Sequence, residues 1–372
     1  MQQIAQSWLV FDMSKSPFML GLDAFLGQVP IILFSLFGGV IADRMDRRRL
    51  LLASQYVQMT SAFLLTILIA TGYIRVWHIL CLSFVVGTAQ SFGGPAYQAL
   101  VPSLVSREDL SNAIALNSIQ FNLARVIGPV LGGEALTRYG ASWCFGLNGL
   151  SFIAVVFSLF MLKIDFMPGK ASISILSSMR EGFGFIRNQG AMQGLIAIAF
   201  CMTLFAFPML SFFPVFVRDV FHGGPKYYEL LLSTSGVGSV VGALGVAWLG
   251  NVKNKGMVAL GGLLVLGACI AGFSLSRNLV LSCVLVFING ATLMLCFSMI
   301  SSLVQLITSH EMRGRVMSVY NVAFRGGMPI GSIMTGYFLK FFSAPAVITV
   351  NGLLLVAVGA YFLLMQRKVA AL

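Results

Sequence analysis

Three ionisable residues sit deep inside apolar runs: Asp23 in "PFMLGLDAFLGQVP", Arg125 in "FNLARVIGPVLGG" and Arg325 in "VYNVAFRGGMPIG". A charge in such a place is costly and marks a functional candidate. A carboxylate there can take up and release a proton. A guanidinium can attract an anion, or lower the pKa of a nearby carboxylate so that protonation is linked to another event. Arg125 has a third reading. Pro129, four residues on, lacks an N–H, and the guanidinium could satisfy the carbonyls this frees. Metal, disulfide and hydrolytic chemistry find no matching pattern. Cys81, Cys144, Cys201, Cys269, Cys283 and Cys296 all fall in apolar runs without CxxC spacing, and His78, His222 and His310 are scattered. Neither carboxylates nor histidines cluster as a membrane enzyme such as a lipid transferase would need, so we expect no enzyme and no cofactor.

The elements that must hold these residues follow from composition. The chain has 372 residues, 58% hydrophobic and only 10% charged; soluble domains carry about 25% charged residues. This much apolar surface needs a lipid bilayer as solvent. A spanning helix takes about 20 mostly apolar residues. Such runs are read at 17–42, 50–71, 76–100, 113–137, 142–164, 191–217, 229–250, 257–276, 278–300, 314–339 and 344–365, eleven in all. A further apolar stretch, Ile4 to Met13, is too short to span alone.

The chain also repeats itself. "LVPSLVSREDLSNAIALNSIQF" from Leu100 resembles "LVQLITSHEMRGRVMSVYNVAF" from Leu303, an offset of 203 that pairs Glu108 with Glu311, Phe121 with Phe324 and Gly128 with Gly331. Earlier in each half the offset is 208, which sets the start of the second half's first helix, Ala191, at −17. The pattern predicts two six-helix halves in the same orientation, the first helix incomplete at its N-terminus, with residues 1–164 and 191–372 as bundles and 165–190 as linker. Leu176, Met179, Phe183 and Ile186 share one helical face of that linker, with Arg180 and Arg187 elsewhere, as in an amphipathic helix on a membrane surface. Fifteen lysines and arginines collect in the loops on one side and seven on the other. The richer side is expected in the cytoplasm. The net charge of +12 is mostly this bias, not a footprint for nucleic acid.

Two motifs fall within these elements. "GGVIADRMDRRR", Gly38 to Arg49, follows the first complete span and puts six ionised groups in seven residues. It resembles motif A of the major facilitator superfamily, through Gly39, Asp43, Arg44, Arg47 and Arg48, with Asp46 where the pattern has Gly. Asp tolerates left-handed turn geometry. "RVIGPVLGG", Arg125 to Gly133, resembles the motif C of antiporters through Gly128, Pro129, Gly132 and Gly133. The branch is similar to the drug:proton antiporter group that includes the enterobactin exporter.

The resemblance implies an all-α polytopic membrane protein with the major facilitator fold, twelve helices by plan and eleven complete spans here. It implies that Asp43 meets the N-terminal end of the eleventh helix, near Arg313, and closes the cytoplasmic side. It implies that Gly238 and Gly242 on helix eight pair with helix five across the halves. Helix two is not an expected neighbour of helix five, which argues against an Asp23–Arg125 pair. Helices one, four, seven and ten should line the cavity, bringing in Gln2, Gln3, Gln6, Gln90, Gln98 and Asn289 among Phe205, Phe207, Met209, Phe212, Met294 and Phe297. Such a Met/Phe wall suits bulky amphipathic substrates. The family's helix-four arginine motif is absent.

The implied function is secondary active export of amphipathic small molecules, such as a drug, siderophore or secondary metabolite, by alternating access and driven by a proton gradient. The chain should be a monomer in a bacterial inner membrane. An importer or facilitator on the same fold, or a non-transporting fragment that needs roughly 18 upstream residues to complete its first span, are the alternatives.

Overall fold

The structure, a computed structural model, describes residues 1–106, 108–162, 175–249, 254–309, 311–366 and 369. Within the described helices, the side chains of Gly39, Asp43, Arg44, Ser111 and residues 175–179, among others, lie outside the description. The described chain divides into two units, Met1–Ile175 and Leu176–Leu372.

The first unit holds α1 (Gln2–Ser14), α2 (Pro17–Arg44), α3 (Arg47–Ala70), α4 (Val76–Leu100), α5 (Leu110–Tyr139) and α6 (Ala141–Met161). At 13 residues, α1 rises about 20 Å. It turns into α2 through only two residues, which works because Lys15 adopts the left-handed conformation, φ 50°, and donates its N–H to the Phe11 carbonyl at 2.8 Å. Pro17 then opens α2, at a position where a missing N–H costs nothing.

Leu176 to Leu372 carry α7 (Ile175–Arg187), α8 (Gly190–Ser211), α9 (Phe213–Asp219), α10 (Pro225–Leu249), α11 (Lys255–Leu275), α12 (Leu279–Leu306), α13 (Arg313–Phe338) and α14 (Ala344–Leu364). The apolar run read at 191–217 is broken in two here. Pro214 cannot donate to Leu210, so α8 stops and α9 starts afresh with Pro214 in its first turn. The aromatic cluster of Phe213, Phe216 and Phe273, with centroids 4.9–5.4 Å apart, buries the junction.

Ten helices among the described residues are long and apolar enough to cross a membrane. The 26-residue α13 is as long as the others but less apolar, because Arg325 and a run of Gly, Ser and Asn dilute it.

Lipid offers no hydrophobic drive between helices, so small residues and close backbone contact set the packing. In the second unit α10 and α12 interlock. A methyl added at Gly238 or Gly242 would strike the carbonyls of Phe287 or Ala291, and one at Gly290 would strike that of Ser235. The GxxxG of α10 therefore packs inside its own unit, against α12. The first unit seats α2 on α4 in the same way, with Gly38 against Ser91. The linker helix α7 docks on the first turn of α13, with Glu181 paired to Arg315 at 2.6 Å and Gly182 against the Arg315 carbonyl.

Candidate functional site

Asp23 lies six residues into α2 and is 6% exposed. Two other helices reach it. Gln6 on α1 donates its amide N–H toward both carboxylate oxygens at 3.0 Å, and Ser83 on α4 lies 2.5 Å from Oδ1. Gln6 Nε2 also lies 2.8 Å from Ser83 Oγ. The chain of bonds runs on: Gln2 donates to Gln6 Oε1 at 3.4 Å, and Asn148 on α6 donates to Gln2 Oε1 at 2.5 Å. One polar network thus joins four helices of the first unit, and no cation among the described residues enters it.

Ser83 gives the network two settings. Its hydroxyl has one hydrogen but two acceptors in reach, Asp23 Oδ1 and the Ile79 carbonyl at 2.9 Å. With Asp23 ionised, the hydroxyl donates to the carboxylate. With Asp23 protonated, the acid donates to Ser83 Oγ and the hydroxyl turns to Ile79. Either state leaves every buried group paired.

Arg125 takes no part. It is exposed on α5 and makes no ion pair or hydrogen bond with any described residue, so it neither meets Asp23 nor caps the carbonyls freed by Pro129. Arg325 on α13 is likewise exposed and unpaired among the described residues. The remaining candidates scatter. Gln90 donates to Gln58 of α3 at 3.2 Å, while Gln3 and Gln98 are exposed.

Three residues that the resemblance assigns to the cavity are buried. Asn289 is 1% exposed, with both amide atoms unpartnered among the described residues. Met209 and Phe212 are fully buried. Phe205 does line a cavity of about 390 Å³, together with Met334, Phe338 and Phe342, within the second unit. Asn351 donates to Thr335 at 3.1 Å on its wall.

The motif A arginines act as helix caps. Arg47 donates to the Ala99 carbonyl at 3.1 Å, and Arg48 to those of Leu159 and Phe160 at 2.6 and 2.7 Å. Both cations thus sit at the negative C-terminal ends of α4 and α6. Asp46 corrects an expectation: its φ is −57°, not left-handed, and its carboxylate caps α3 by accepting from Arg48 N at 2.9 Å. Gly39, Asp43 and Arg44 continue the helical backbone of α2, with side chains outside the described residues. In motif C, α5 runs unbroken through Pro129, Gly132 and Gly133 are buried, and a Cβ at Gly132 would lie 2.8 Å from Met1 Cα. Gly128 also faces the start of α1.

A family model described as a transmembrane secretion effector matches residues 1–371. The chain belongs to that family, a branch of the major facilitator transporters. The chain is 21% identical to macrolide efflux protein A of Streptococcus pyogenes over 90% of its length and 84% of that one. It is 24% identical to the enterobactin exporter EntS of Citrobacter koseri over 95% of this chain and 84% of the relative. The crystal structure of the nucleoside transporter NupG superposes with a TM-score of 0.75 at 14% identity, covering 98% of this chain and 94% of the other. That likeness is one of fold. The chain is a membrane transporter and not an enzyme.

Sequence reasoning missed Ser83. A lone hydroxyl in "CLSFVVG" carries no signal until α4 brings it to Asp23.

Proposed function

We propose that this protein exports amphipathic small molecules from the cytoplasm across a bacterial inner membrane, in exchange for protons carried by Asp23. The observation that supports it is the Asp23 site itself: a carboxylate inside a membrane bundle, held by Gln6 and Ser83, with a hydroxyl able to serve either protonation state. A structural carboxylate would be expected to face a fixed cation. This one faces adjustable donors, as a group that cycles its proton requires. Motif C and the export roles of the macrolide and enterobactin relatives favour export over import. The lysine and arginine bias places the Arg47–Arg49 turn in the cytoplasm.

The test uses everted vesicles and three probes: ethidium, pyrenebutyrate and pyrenebutanol. An imposed proton gradient should drive uptake of at least one of them. Asp23→Asn should abolish driven uptake and leave probe-for-probe exchange intact, because exchange needs no proton. Driven uptake by the Asp23→Asn protein at the wild-type rate would remove Asp23 from coupling.

A further inference from the structure

The cavity of the second unit exists because two glycine seams pull its walls apart. On one side α13 lies directly on α8. A methyl at Gly327 would strike Thr203 and the Phe200 carbonyl, and one at Gly331 would strike the Leu204 carbonyl. On the other side α14 lies directly on α11, where a methyl at Gly267 or Gly352 would strike the carbonyl of the other. Small residues allow such close backbone approach, which pairs helices in lipid. α13 and α14 are thereby drawn to different neighbours. A cleft of about 390 Å³ opens between them, floored by Leu204 and Phe205 of α8. Asn351 bridges it, donating to Thr335 at 3.1 Å.

The walls and depth of the cleft decide what can fill it. Met334, Phe338, Val350 and Leu354 line it and are exposed, so it opens sideways. α8 and α14 are both long and apolar enough to cross a membrane, which puts the opening at membrane depth. Asn351 and Thr335 are spent on each other and are only 9% and 3% exposed. Water finds little to hold it there, since apolar cavities stay dry. The occupant meets carbon almost everywhere.

The cleft also has a top. Phe342, in the turn between α13 and α14, lines it. Around that turn stand exposed Tyr337, Lys340 and Phe341, with the Lys340 ammonium 5.6 Å from the Tyr337 ring centroid. Amphipathic aromatic rings are enriched at the membrane–water interface, and lysine is an interfacial anchor. From Ala346 to Leu354 the cleft follows α14 for eight residues, about 12 Å at 1.5 Å per residue. The hydrocarbon of one leaflet is about 15 Å deep. The cleft thus starts at headgroup level and ends within one leaflet, which is the path of a single lipid tail.

We propose that this cleft binds one acyl chain of a membrane phospholipid, drawn from the leaflet at the Phe342 end and held between α13 and α14. A chain lodged there gives the two helices the carbon contacts that their separation denies them. The site is apart from Asp23, which lies in the first unit, and it can be detected without transport.

Purified protein in detergent is irradiated with a trace of phosphatidylethanolamine carrying a diazirine midway along one acyl chain, and the labelled residues are mapped by mass spectrometry. Label should concentrate on Met334, Phe338, Val350 and Leu354, and unlabelled phosphatidylethanolamine should displace it. Ala346 also lines the cleft. Ala346→Phe, which puts a ring into it, should lose the label there and keep the rest of the pattern. Label spread evenly over the exposed apolar residues of all helices overturns the proposal. So does cleft label that excess phosphatidylethanolamine leaves in place, or that persists in folded Ala346→Phe protein. The two wild-type readings decide the matter even if that variant fails to fold. Displacement by ethidium, pyrenebutyrate or pyrenebutanol at concentrations where added phospholipid does nothing also overturns it, and gives the cleft to the transported molecule. None of these outcomes touches the role of Asp23.

Discussion

At Ser83 a single hydrogen decides which of two acceptors, Asp23 or the Ile79 carbonyl, is satisfied. Ser83→Ala removes that choice and leaves ionised Asp23 with Gln6 alone. A lost hydrogen bond to a charged group costs about 1.5–3 kcal/mol, so driven efflux should fall roughly tenfold or more while probe exchange persists. Exchange and driven uptake measured in the same vesicles check this, and parallel loss of both would mean that Ser83 only holds the fold. Asp23 was legible in the sequence because a charge in an apolar run is rare. Its partner was not, because Ser83 is 60 residues away and hydroxyls are common in membrane helices, where they bond their own backbone. The burial of Asn289 was not legible either, because residue type marks polarity but not which way a helix is turned.

Helices were read more reliably than their pairings. The eleven apolar runs correspond to helices of 21 to 30 residues, save where Pro214 divides α8 from α9. Hydropathy sees no break there, because the residues around the proline stay apolar. The GxxxG of α10 was legible as a close-packing face, yet spacing alone could not say that α12 would pack against it. Gly238→Val should force the Phe287 backbone away and greatly reduce folded protein. Gly245→Val, on the same helix but with open space at its Cβ position, should be tolerated. Detergent-solubilised yield and gel-filtration profile would separate the two, and equal yields would mean the seam is loose. Asp46→Ala, which uncaps α3, should cost about 0.5–2 kcal/mol, seen as a lower melting temperature with transport per folded molecule little changed.

For the whole molecule, the repeat legible in the sequence, offset by 208 early in each half and by 203 later, has a counterpart in packing, since each unit close-packs corresponding helices, α2 on α4 and α10 on α12. Asp43 is the residue whose proposed role concerns the balance between conformations. Asp43→Asn removes one negative charge from the motif A stretch. It should favour the inward-open state, read as altered labelling of introduced cysteines from each membrane face, and unchanged labelling would remove Asp43 from gating.

The interlocked glycines of α10 and α12 also set a clock. Where a backbone carbonyl fills the space beside Gly238 and Gly242, no small fluctuation can admit solvent. Deuterium should therefore enter amides along this seam only through openings that separate the two helices entirely. It should enter the midsection of α5, where the polar Ser118 and Arg125 are exposed, much sooner. A transport cycle that leaves the seam's slow exchange untouched, while changing that of α5, would show that α10 and α12 travel through it as one body.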